Sequence, residues 1–383
     1  MPGAQWDSQA RGQRGAGATA AHPRGMPGSA EGGGPERFGF LLVPEFSMFA
    51  LASALEPLRA ANRAAGRPLF EWVLLSPEPG PVASSSNVPV ICDAVMGEAP
   101  RLNTAIVASG QPTYPHQEDR SVSAWLRWQG RLGARLGALS TGTYALAHAG
   151  LLDGYRVTIH WQHLAAFRED YPALDITDDL FEIDRNRLTC SGGEAALDMM
   201  LSLIALEHGR ALATQVSENF IHERIRDTSD PQRMALRTRL GISHPKLLTV
   251  IAHMEETLEE PLPRADLAAR AGLSSRQLER LFRKYLGRTP TRYYLELRLH
   301  RARTLLHQTA MPILDIALAC GFVSASHFSK CYREFFERTP REERAAPTYP
   351  VDGSPGQGAP EPLPGAPAGA PETGDPGQLP PRR

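Results

Sequence analysis

The stretches LSSRQLERLFRKYLGRTP (residues 273–290) and VSASHFSKCYREFFERTP (residues 323–340) stand 50 residues apart and close on a similar phrase. In the first, Ser274 and Gln277 make the S-x-x-Q of a capping box. Leu278, Leu281 and Phe282 then share one helix face, which leaves Arg276, Glu279, Arg280 and Arg283 outward. In the second, Ser324 caps a helix whose Phe328, Tyr332 and Phe335 face inward, so Ala325, Ser326, His327 and Lys330 project out. A short helical segment precedes each: residues 264–271 before a turn at Gly272-Leu273, and residues 313–320 (ILDIALAC) before Gly321-Phe322-Val323. Helix, glycine-containing turn and capped helix make the helix-turn-helix pattern, here present twice. Residues 245–258 form a further helix, entered at a proline, with Leu248, Ile251, Met254 and Leu258 on one face. Residues 291–308, rich in arginine and helix formers, join the two units. As one continuous helix they would hold both rigidly, poised for successive major grooves about 34 Å apart.

The charge of the chain hides this. Its 383 residues carry a formal net charge of -1, which seen alone argues against a nucleic-acid partner. Between residues 228 and 345, however, 20 basic residues face 13 acidic ones, a surplus of seven. The remainder holds 21 basic and 29 acidic residues, and the two parts cancel. A length of 383 residues suggests two domains. The four cysteines, Cys92, Cys190, Cys320 and Cys331, are too few and scattered for a disulfide framework or zinc site. With no apolar run long enough for a membrane span and no signal-peptide layout at the start, the expectation is a cytoplasmic protein without membrane, metal or cofactor. Residues 1–36 and 346–383, dominated by Gly, Ala and Pro, read as disordered tails. Between them the expected parts are an α/β domain over 37–220, a linker over 221–243 and an all-helical domain over 244–345.

In the α/β part, short apolar runs at residues 38–43 (FGFLLV), 70–75, 104–108 (TAIVA) and 136–139 read as buried strands. Leu51, Leu55 and Leu58 mark an amphipathic helix between the first two. The run at 136–139 leads straight into Ser140-Thr141-Gly142, the layout of a nucleophile elbow, and His160 in RVTIHW is a candidate base. No third, orienting group is identifiable, and the reading favoured by the residues alone is that Ser140 caps the helix starting near Thr143.

Four segments in this half, FLLVPEFSMFALASALEPLRAANR (40–63), GALSTGTYALAHAGLLDG (137–154), VTIHW (157–161) and CSGGEAALDMML (190–201), resemble the PfpI-type amidase domain of the class I glutamine amidotransferase-like superfamily. The resemblance spans about residues 37–208 and implies a flavodoxin-like α/β sandwich. In catalytic members a cysteine occupies the elbow, beside a histidine and an acidic residue. Here Ser140 stands at the cysteine position, His160 matches the histidine, and the acidic position falls near Phe49 or Ala50. A thiolate nucleophile is thereby lost, and nothing there can ionise to orient the imidazole. The resemblance therefore implies a vestigial or ligand pocket around Ser140, Thr141, His160 and Gly110, with no catalysis.

About 100 residues of the C-terminal half, over 244–345, resemble the DNA-binding domain of AraC-family transcriptional regulators, on ALACGFVSASHFSKCYREFFERTP (317–340) and the first unit with its linker helix. Glu337 departs from the glycine usual there. By this resemblance Arg276, Glu279 and Arg280 read bases in one groove and Ser326, His327 and Lys330 in the next, while Arg283, Lys284, Arg292 and Arg333 meet phosphates. These residue types suit the roles, since arginine can bond guanine in two places and glutamate can accept from cytosine. The junction GISHPKLLTVIAHMEETLEEPL (241–262) is similar to the subgroup that fuses both domains. The expected function is sequence-specific regulation of transcription by a homodimer, with double-stranded DNA, a small-molecule effector and RNA polymerase as partners. The competing expectations are an active hydrolase with a DNA-binding appendage and an N-terminal domain that only oligomerises.

Overall fold

The structure is a computed structural model that describes residues 34–110 and 119–345. The expected tails lie outside these residues except at 34–36, where the first strand already begins. In chain order the strands are β1 (Glu36–Leu42), β2 (Phe70–Ser76), β3 (Val82–Ala83), β4 (Pro89–Val90), β5 (Ala94–Val95), β6 (Thr104–Ala108), β7 (Arg135–Leu139), β8 (Arg156–Val157), β9 (Asp175–Ile176), β10 (Phe181–Asp184) and β11 (Arg187–Cys190). Seven form one sheet in the order β10-β11-β7-β6-β1-β2-β5, parallel throughout except for the β10–β11 pair. The run β2-β1-β6-β7-β11 is the flavodoxin-like order, whose direction of winding reverses between β1 and β6.

Helices α1 (Met48–Ala65), α2 (Arg120–Arg131), α3 (Thr143–His148), α4 (Leu164–Asp170), α5 (Ala195–His208) and α6 (Arg210–Asn219) cover this sheet. Alternation along β1 supplies both faces: Phe38, Phe40 and Leu42 pack with α1, α5 and α6, while Leu41 and Val43 join the layer of Trp125, Leu146 and Phe167. The expected amphipathic helix is α1; Ser47 caps it by accepting from Ala50 N–H, and Gly66 ends it in the left-handed conformation.

The stretch expected as a linker contains α7 (Leu236–Leu240) and is fastened along the domain. Buried Asp198 on α5 accepts from the Arg226 backbone N–H and Nε, each at 2.8 Å, and lies 2.9 Å from His222 Nε2. Beyond it lie α8 (Pro245–Glu256), α9 (Arg264–Arg270), α10 (Ser275–Leu286), α11 (Pro290–Gln308), α12 (Ile313–Ala319), α13 (Ala325–Phe336) and α14 (Pro340–Ala345). The joining helix α11 passes through two cores, giving Tyr293 and Tyr294 to that of α8–α10, and Leu299, Ala302, Leu305 and Leu306 to that of α12 and α13. Among the described residues, no helix is long and apolar enough to cross a membrane.

Candidate DNA interface and N-terminal crevice

Strand register assembles the crevice. Leu42 lies beside Ala108, Ala108 beside Leu139, and Leu139 beside Cys190, so the loops after β1, β6, β7 and β11 meet at one end of the sheet. This is the place where open α/β sheets bind ligands. Gly110 lies against the loop after β1: a Cβ there would fall 2.4 Å from the Glu45 carbonyl oxygen and 2.7 Å from Ser47 N. Thr141 is buried and donates its hydroxyl to Ser109 Oγ at 3.0 Å, tying the β7 and β6 loops together. Gly192, after β11, packs directly on Ser140, where a Cβ would come within 2.7 Å of the serine Cβ.

Ser140 itself holds φ at 57°, a left-handed conformation that costs a non-glycine residue of order 1–3 kcal/mol. This corrects the capping expectation. Gly142 occupies the N-cap of α3, no side chain caps that helix, and Ser140 sits in a 3₁₀ turn before it. The strand-to-helix turn is sharp enough to force the elbow geometry, which removes the serine from capping position. Cys190, which the sequence marks only as one of four scattered cysteines, has a fully buried thiol that takes backbone hydrogen bonds from Ser140 and Gly192. Burial pushes it up to about 11, so it stays a protonated thiol at neutral pH.

His160 is half-buried, and burial lowers its pKa, which favours the neutral imidazole. Its Nδ1 accepts the Gln162 backbone N–H at 3.4 Å, and among the described residues no hydrogen bond joins it to Ser140. Of the two residues near which the acidic position was expected, Phe49 is 63% exposed and lies over Gly193, and Ala50 is buried. The end of the sheet thus brings together the Ser109, Ser140 and Thr141 hydroxyls, with the Phe49 ring over Gly193.

In the helical body the two units repeat one geometry. Gly272 and Gly321 turn the chain at φ 60° and 72°, and the following residues donate back to Ala268 and Ala317 carbonyls at 2.9 and 2.8 Å. At Gly321 a Cβ would lie 2.7 Å from the Glu259 carbonyl oxygen, so the second turn admits only glycine. Ser274 completes its capping box with Gln277, and Ser324 caps α13 by accepting from His327 N–H at 3.1 Å. Of the residues expected to read bases, Arg276, Arg280, Ser326, His327 and Lys330 are exposed. Glu279 is half-buried, 3.5 Å from Arg264 and 3.0 Å from Arg283, which fixes the posture of both arginines. The His327 ring lies 3.4 Å from Cys331 Sγ and edge-on to Phe322. Arg283, Lys284 and Arg333, expected at phosphates, are exposed; Arg292 is engaged with Glu296 and lies over the Phe335 ring.

Arg298 on α11 went unnoticed in the sequence. It donates to the Cys320 and Gly321 carbonyls at 2.7 Å each, and its guanidinium stacks 4.1 Å from the Phe322 centroid. It binds the turn of the second unit to the helix that also supports the first.

Family models match a helix-turn-helix domain over residues 267–346 and the DJ-1/PfpI family over residues 42–206. The chain is 50% identical over 310 residues to the HTH-type transcriptional regulator GbdR of Pseudomonas aeruginosa, covering 81% of this chain and 84% of that protein. The chain belongs to the AraC-type transcriptional regulators with a DJ-1/PfpI domain. A second relative of this family, the HTH-type transcriptional regulator CdhR of the same species, is 45% identical over 334 residues, 87% of this chain and 96% of its own length. Among solved structures, an AraC family transcriptional regulator from Pseudomonas putida matches 49% of this chain and all of its own, at 28% identity and a TM-score of 0.46. The AraC-type assignment agrees with the duplicated units, and the DJ-1/PfpI assignment with the flavodoxin-like sheet.

Proposed function

We propose that this regulator reads its operator with both helix-turn-helix units while the crevice above the sheet senses a small-molecule effector without catalysis. The observation that carries the first part is the repeated glycine turn and serine cap of α9–α10 and α12–α13 on the single helix α11. In this reading Arg276, Glu279 and Arg280 enter one groove and Ser326, His327 and Lys330 the next, with Arg283, Lys284, Arg292 and Arg333 on phosphates. Binding as a homodimer in the cytoplasm adds avidity on paired half-sites and presents the protein to RNA polymerase.

Two observations support the absence of catalysis: no hydrogen bond joins His160 to Ser140 among the described residues, and neither Phe49 nor Ala50, near the expected acid position, can ionise. A serine hydroxyl at its ordinary pKa needs a hydrogen-bonded base to attack a carbonyl. Ser140→Trp, which fills the crevice, is expected to change operator affinity in a fluorescence-anisotropy titration, as is one member of a panel of small metabolites. An unchanged affinity in both would remove the sensor role. A serine-directed covalent probe should leave the protein unlabelled; labelling lost in Ser140→Ala would instead restore a hydrolase.

A further inference from the structure

Helix α4 belongs to two cores at once. Phe167 and Ala166 are neighbours in the chain, both fully buried, yet Phe167 packs in the α/β layer while Ala166 packs with Leu299, Ala302 and Tyr332 of the second helix-turn-helix unit. On the crevice side, α3 begins three residues after Ser140. Its Thr143 hydroxyl donates to the Thr158 carbonyl at 3.0 Å, and its Tyr144 ring meets Phe167 edge-on at 4.8 Å. On the DNA-binding side, Glu169 of α4 lies 3.7 Å from Arg301 of α11. His163, just before α4, is buried beside Gln308 of the same helix.

The first unit is attached to the same segment by a different strap. Gln232 Nε2 donates to Thr158 Oγ1, the Ile159 carbonyl and the Asp179 carbonyl at 3.1, 3.0 and 2.8 Å. Arg233 stacks 4.6 Å over the Trp161 ring and lies 3.8 Å from Glu255 on α8, which also takes Arg239 at 2.9 Å. Residues 158–169, which carry His160, therefore hold both DNA-reading units. None of these contacts covers Ser326, His327 or Lys330, which stay exposed.

From this arrangement we propose that the α3–α4–α11 joint transmits occupancy of the crevice to the relative placement of the DNA-binding body. The inference rests on the reading of the crevice as an effector site. An alanine at the centre of the joint lets two helices approach closely, and packed helices shift between discrete arrangements rather than deform gradually. A ligand that displaces the elbow moves Thr143 and Tyr144, and with them α4. The joint is made of one alanine, one neutral histidine and one ion pair, the modest kind of contact across which domains move.

The test is a double-mutant cycle on the full chain, titrated on operator DNA. Ser140→Trp should change affinity by about fivefold or more, the lower end of ordinary allosteric coupling. Glu169→Arg and Arg301→Glu each set like charges across the joint and should cut that response below about twofold, and the charge-swapped pair should restore it. Ala166→Arg should abolish it as well. If that variant fails to fold, as judged by circular dichroism, the half-buried ion pair still decides the question. A Ser140→Trp response of full size in every joint variant overturns the joint and leaves the effector crevice standing. No response of the unaltered chain either to Ser140→Trp or to the metabolite panel overturns both.

Discussion

Helix α13 ends at Glu337 with φ 59°, the left-handed conformation in which α10 ends at Gly287 with φ 67°. An L-residue pays roughly 1–2 kcal/mol there, because its Cβ crowds the following carbonyl oxygen. Glycine avoids that clash but loses more backbone freedom on folding, about 0.5–1 kcal/mol. The Glu337 side chain is exposed, and among the described residues it makes no ion pair that a substitution would break. Its backbone N–H bonds the Arg333 carbonyl at 2.9 Å, a contact glycine keeps. Glu337→Gly should therefore stabilise the helix-turn-helix body by about 0.5–1 kcal/mol, and Gly287→Glu should destabilise it by a similar amount. For a domain of this size that is a shift of roughly 2–8 °C in melting temperature. Differential scanning calorimetry of the full chain reads it, with the relevant transition identified as the one that rises when operator DNA is added. An unchanged or lowered transition in Glu337→Gly would refute the strain argument.

Arg298→Leu removes two charged hydrogen bonds and a stacked ring contact, for an expected loss of about 2–4 kcal/mol in the stability of the second unit. Binding to an operator spanning two grooves should fall further than binding to the first unit's half-site alone, and Arg298→Lys should recover only part of it. His163 is pushed down to about 4 by burial, then by neighbouring His160, against the opposing effect of Gln308. The unfolded chain binds this proton near pH 6.5 and the folded chain only near pH 4, so stability falls as pH drops through that window, by about 3 kcal/mol in all. His163→Gln should flatten that part of the urea midpoint-versus-pH curve; an unchanged slope would show that other groups set it. Arg280→Ala should cost about 1–3 kcal/mol and relax preference at one base position. Arg333→Ala should weaken all sequences alike and reduce the salt slope by about one.

The duplicated units were legible because their signals are local. Ser274 and Ser324 cap within three residues, and Gly272 and Gly321 supply the positive φ of each turn from their own lack of a Cβ. The strands β1, β2, β6 and β7 were visible as apolar runs, whereas β3, β4, β8 and β9 have two residues each and carry no period. Ser140 misled because a serine before a helix serves equally as cap or elbow, and only the angle of the strand decides. Asp198, Gln232 and Arg298 carry no local signal because their partners lie 22 to 74 residues away and are brought close only by the fold. The joint at Ala166 was hidden for the same reason: nothing in LAAFRED says that consecutive residues face different cores.

In the proposed function two reading helices are held at a fixed spacing by α11, and selection of bound fragments from random DNA by the purified full chain measures that spacing. The predicted result is two preferred sequence blocks with centres about one helical turn, 10–10.5 base pairs, apart, the second lost in an Arg298→Leu variant. Salt-dependent binding without any sequence preference, or a single block unaffected by changes at Ser326, His327 and Lys330, would contradict it.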